Sequence, residues 1–123
     1  MNIEEYRDYC LAKPGTTEGF PFDEKVLVFK VMGKMFALTD VDDFEGVNLK
    51  CHPDRAYELR ESNPGIVPGF HMNKTNWNTV ATDGSVDDKQ FYELIDHSYE
   101  MVVLGLTKKL KLELSKLGYT VPE

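Results

Sequence analysis

The residues best suited to chemistry lie in the middle of the chain. His71, Asn73, Lys74 and Asn76 fall in one short stretch, within a run, residues 62–81, that holds no Asp or Glu. In a chain with 21 acids, 14 bases and a formal net charge of −7, that run stands apart. Amide, imidazole and ammonium donors grouped at a bend suit an anionic ligand. They hydrogen-bond phosphate oxygens, and amides also read base edges. Lys30, Lys34, Asn48 and Lys50 add to the same inventory from the segments before it.

Other chemistries are less well served. Asp40, Asp42, Asp43 and Glu45 cluster, but the glycine and closing glutamate of a calcium loop are not at the required spacing. His52, His71 and His97 are far apart and share no helical i,i+4 spacing, whereas zinc needs converging ligands. Cys51 could pair with His71 as a nucleophile. It also continues the apolar phase of Val47 and Leu49, as a buried structural thiol does. There is no nucleophile-elbow serine and no phosphate-cradling glycine loop. The expectation is a binding protein without catalysis, cofactor or metal.

The elements that must position these residues read as follows. Asn2 with Glu5 makes a capping-box start, and Ile3, Tyr6 and Cys10 recur at helical spacing until Lys13-Pro14-Gly15. From Phe20 the period changes. Residues 26–31 alternate as a strand, Gly33-Lys34 reads as a two-residue hairpin turn, and residues 35–39 return. Residues 47–51 form a further half-buried strand. Pro53 suits the first turn of a helix running to about Ser62. Two strand-like runs, 66–72 and 76–81, bend at Asn73-Lys74-Thr75. Ser85-Val86-Asp87-Asp88 opens the longest helix, with Phe91, Leu94, Ile95, Tyr99, Val102, Val103 and Leu106 as its apolar stripe. Thr107 caps a last helix with Leu110, Leu114 and Leu117 on one face. Helices flanking hairpin-connected strands indicate α+β with an antiparallel sheet.

The 123 residues suffice for one domain, with 41% apolar and 28% charged residues as in ordinary globular chains. The run 101–106 is far short of the roughly 20 residues a membrane span needs. The polar, acidic N-terminus does not resemble a signal peptide. A cytoplasmic monomer with reduced thiols and no membrane partner is expected. Net charge argues against broad adhesion to nucleic acid. By segment, however, residues 1–24 carry six acids and two bases, and residues 81–123 eight and five. Residues 25–80 carry seven of each. The negative charge belongs mostly to the helices, which leaves room for a weakly basic sheet surface.

The sequence also resembles the MmcQ/YjbR-like proteins. The resemblance is carried by the opening Ile3-Glu4-Glu5-Tyr6-Arg7-Asp8-Tyr9-Cys10, by Thr17-Glu18-Gly19-Phe20-Pro21-Phe22 and by Gly33-Lys34-Met35-Phe36-Ala37. Most specific are Val47-Asn48-Leu49-Lys50-Cys51 and His71-Met72-Asn73-Lys74 with Trp77. The resemblance implies a small single-domain α+β fold over residues 1–123, similar to CyaY and to secretion-chaperone-like domains. An antiparallel sheet would be covered on one side by helices. It also implies DNA binding through two hairpin "wings", residues 26–39 with Lys34 at the tip and 66–81 with Lys74 at the tip. Phosphates would then meet Lys30, Lys34, Lys50 and Lys74, with Asn48, His71, Asn73 and Asn76 beside them, in weak, salt-sensitive binding. The alternative is a module that holds a protein, a peptide or a small anion on the exposed sheet face.

Overall fold

The structure is a computed structural model that describes residues 1–121. Helix α1 (Ile3–Leu11) starts where Asn2 accepts the Glu5 N–H, the expected cap. Strands β1 (Thr16–Gly19), β2 (Val26–Val31), β3 (Lys34–Asp40) and β4 (Gly46–Lys50) follow. Helix α2 (Pro53–Ser62), strands β5 (Ile66–Pro68) and β6 (Trp77–Ala81), and helices α3 (Asp88–Leu104) and α4 (Lys108–Lys116) complete the chain. All strand pairs are antiparallel, in the order β1-β2-β3-β4-β6-β5. The fold is α+β, one six-stranded open sheet with four helices.

The alternation of each strand divides the sheet into two faces. Leu27, Phe29 and Val31 of β2, Val47 and Leu49 of β4, and Ile66 and Val80 turn towards the helices. There they meet Tyr6 and Cys10 of α1 and the α3 stripe, all buried. Tyr6 packs edge-on to Phe29 at 5.5 Å, and Phe36 edge-on to Tyr99 at 5.4 Å. Lys13 locks α1 to α3. Its Nζ lies 2.5 Å from Asp96 Oδ1 and sits over the rings of Tyr9 and Tyr99. Among the described residues, no helix lies on the opposite face. Val28, Leu38 and Trp77 form a second, small apolar cluster there, edged by Val26, Met35 and Met72.

Several boundaries differ from the sequence reading. The β2–β3 turn is Met32-Gly33, not Gly33-Lys34. Both have positive φ (49° and 84°), as the twist-matched two-residue hairpin turn demands. Lys34 is therefore the first residue of β3, opposite Val31, and not the tip. Strand β5 stops at Pro68, so residues 69–76 form a loop where the sequence suggested strand to Met72. The α3 cap is Asp87, whose side chain accepts the Gln90 N–H, rather than Ser85. Only Leu114 of the α4 stripe is fully buried, while Leu117 is exposed.

Candidate functional site

The open sheet face carries the candidate site, and pairing register decides how its charges are arranged. On the open face Met35 opposes Lys30 and Lys50 opposes Trp77, whereas Lys34 opposes Val31 and so lies on the helix side. Those pairs lie at one end of the sheet. Asp40 opposes Val26 and Gly46 opposes Ala81 at the other end, where Asp23, Asp42, Asp43 and Glu45 also gather in the adjoining loops. The face is thus basic at one end and acidic at the other, with an apolar middle. Among the described residues, Lys30, Lys34 and Lys50 have no ion-pair partner.

Of the remaining predicted residues, Lys74 and Asn48 have their side-chain donors committed within the protein. Lys74 does not stand out from a wing tip: its Nζ donates to the Gly69 carbonyl at 2.8 Å, inside its own loop. Asn48 Nδ2 donates to the Phe70 carbonyl at 2.9 Å, while its Oδ1 accepts from the Thr79 hydroxyl. Asn73 Oδ1 accepts the Thr75 N–H in a local turn. The Asn76 carbonyl accepts the Cys51 N–H at 2.8 Å. His71 is exposed with φ 60° and meets the Phe70 ring edge-on, with ring centroids 4.3 Å apart. These contacts fold residues 69–76 back over the sheet. A donor satisfied within the protein is a poor phosphate ligand, because freeing it costs the bond already made.

Arg60 was not among the residues singled out from sequence, yet it fastens that loop. Its guanidinium donates to Asn78 Oδ1 at 2.6 Å and to the carbonyls of Lys74 and Trp77. Its place in the last turn of α2, facing the acid-free run, was the available signal. Gly69 is needed for a different reason. A Cβ there would stand 2.8 Å from Trp77 Cβ and 2.9 Å from its carbonyl oxygen. The close approach lets the Gly69 N–H reach the Trp77 carbonyl at 2.8 Å.

Beside the folded loop, a groove of about 880 Å³ lies open on the sheet face. Val26, Leu38, Thr79 and Val67 bring β2, β3, β6 and β5 to it, Asn48 brings β4, and Phe22 and Phe70 stand at its rim. Phe22 and Phe70 are 64% and 67% exposed. Asp23, Asp40, Asp43 and Glu45 line it, and no lysine or arginine does. The N–H groups of Val26 and Lys25 hold the Asp23 carboxyl below the usual carboxylate range, so it stays charged.

The nucleophile pairing is not supported by the local chemistry. Cys51 is buried, which pushes its thiol up, and Cys10 is pushed up by burial to about 12. His97 is half-buried on α3 and its Nε2 accepts the His52 N–H at 3.2 Å. Burial, then Arg55 nearby, lowers the His97 pKa, and Glu93 offsets this in part. The unfolded chain therefore holds this proton more readily, and stability falls as pH falls from about 6.5. Urea midpoints measured from pH 7.5 to 5.5 should drop for the parent and drop less for His97→Gln. Parallel profiles would exclude His97 as the group responsible.

Known proteins bear on the same residues. The YjbR family model matches residues 11–101. The chain is 39% identical to the Escherichia coli K12 protein YjbR over 104 residues, 84% of this chain and 88% of that one. A crystallised Deinococcus radiodurans protein, DR2400, superposes with a TM-score of 0.86 at 40% identity, covering 93% of this chain and 88% of that one. A Pseudomonas syringae protein superposes with a TM-score of 0.71 at 28% identity, covering 82% and 98%. With the family model spanning most of the chain and the fold shared at this identity, the chain belongs to the YjbR family.

Proposed function

We propose that this protein is a noncatalytic, monomeric binding module that holds a protein or peptide segment on the open face of its sheet. The groove carries this reading. An uncovered hollow of about 880 Å³, floored by Val26, Leu38 and Val67 and flanked by exposed Phe22 and Phe70, is the kind of apolar concavity that binding sites use. The small polar constellation of His71, Asn73 and Lys74 lends no support to catalysis, because Asn73 and Lys74 hold their own loop together.

The test is a selection of twelve-residue peptides from a display library. Selected peptides should bind the parent and lose at least tenfold in affinity to Val67→Arg/Phe70→Ser, two changes at exposed positions. Equal binding to both would move the site off the groove.

A second reading, weak DNA binding, is favoured by the unpaired Lys30 and Lys50 at one end of the face. Two phosphate contacts give a slope of about −1.8 for log affinity against log salt. Duplex titrations at several salt concentrations should show that slope, and Lys30→Glu/Lys50→Glu should flatten it. No saturable binding at low salt would remove the reading.

A further inference from the structure

We infer that the groove takes a short amphipathic segment in which lysines or arginines accompany large apolar side chains. This rests on the peptide-binding reading and adds the chemistry of the occupant. Four carboxylates line the groove, and no lysine or arginine does. Asp43 and Glu45 are exposed, and among the described residues neither has an ion-pair partner. Asp40 is ordered, because its Oδ1 accepts the N–H groups of Asp42 and Asp43. This rim repels phosphates and acidic peptides and attracts cationic side chains. The apolar floor and the rings of Phe22 and Phe70 supply the area that holds the segment once charge has steered it in.

Size and polarity limit the occupant further. The groove touches β2, β3, β4, β6 and β5 in spatial order. At about 4.8 Å per strand spacing that is about 19 Å across, the length of about 13 helical residues. Lys30 and Lys50 at the far end of the face repel a basic segment there, so its cations sit at the Asp40 end.

Labelled thirteen-residue peptides distinguish the possibilities by fluorescence anisotropy. One has leucine and lysine at helical spacing, one replaces lysine by glutamate, and one replaces leucine by serine. The first should bind at least tenfold more tightly than either other peptide. Asp40→Asn/Asp43→Asn/Glu45→Gln should weaken it about tenfold, since exposed pairs contribute modestly and several add. Asparagine at position 40 keeps the acceptor for the Asp42 and Asp43 N–H groups, and circular dichroism would verify the fold. Tight binding of the glutamate peptide, or no effect of the triple substitution, would overturn this inference and leave the groove reading standing. If library-selected peptides also failed, the groove reading itself would fall. Salt-sensitive dimerisation that blocks the lysine peptide would overturn the inference in favour of a second copy as the occupant.

Discussion

Trp77→Ala should cost the fold about 3–5 kcal/mol, the range for removing a large buried aromatic side chain. Trp77 is 9% exposed on the face that no helix covers, where it packs with Val28 and Leu38. The cost follows from that position. Without the indole, Val28 and Leu38 lose their cover, and water enters a face that depends on one ring and one loop. The loop is affected too, because Gly69 packs against Trp77 Cβ and its N–H bonds the Trp77 carbonyl. Against a total stability of about 5–15 kcal/mol, this loss is large. Urea unfolding followed by circular dichroism measures it, since the variant has no tryptophan to report. Trp77→Phe should lose only about 1–2 kcal/mol, because most of the apolar volume remains. A cost below about 1 kcal/mol for Trp77→Ala would mean that the ring contributes little to covering the face.

How far this face was legible from sequence depends on the kind of information each feature carries. Helices α1, α2 and α3 announce themselves through Asn2, Pro53 and the seven-residue stripe from Phe91 to Leu106, because caps and periodicity are local properties. Strand β1 does not. Thr16–Gly19 is half-exposed and has no apolar alternation, and it becomes a strand by pairing with β2, Thr16 opposite Val31. The one-residue error at the hairpin has a similar origin. Gly33 marks the turn, but Met32 with φ 49° is not a residue that advertises a left-handed conformation.

The candidate site was legible in composition but not in the direction of its side chains. The acid-free run around Lys74 does mark a special segment, but a lysine's number says nothing about where its ammonium points. Here it points inward, to the Gly69 carbonyl. The groove was harder still. Its acids come from Asp23, ahead of β2, and from Asp40 at the end of β3 with Asp43 and Glu45 in the loop after it, and only the β2–β3 register brings them together. The same register gathers Lys30 and Lys50 at the other end of the face. Charge counts by segment average these two ends to neutrality, which is why the central region looked weakly basic rather than polarised.

The helix side of the sheet contains a smaller change with nearly as large an effect. Ser98→Ala is expected to cost about 2–4 kcal/mol, although it removes a single oxygen. Ser98 is fully buried on α3. Its Oγ accepts the Lys50 N–H at 2.8 Å and donates to the Phe36 carbonyl at 2.5 Å. Both backbone groups need it because the β3–β4 pairing ends at Ala37 opposite Leu49, one position short of Phe36 and Lys50. The β2–β3 register also shifts between Phe29 and Lys30, at the same place. Alanine would leave a buried donor and a buried acceptor without partners, at about 1–3 kcal/mol each before relaxation. The Lys50 amide should then exchange with solvent markedly faster, and urea unfolding should give the stability loss. Ser85→Ala, at an exposed serine, is the control that should lose little. The consequence reaches the open face, since the bond at the Lys50 amide holds the strand end from which Lys50 projects. If Ser98→Ala left stability within about 0.5 kcal/mol of the parent, the two groups would have found other partners. The end of β4 would then be held by its ladder to β6 alone.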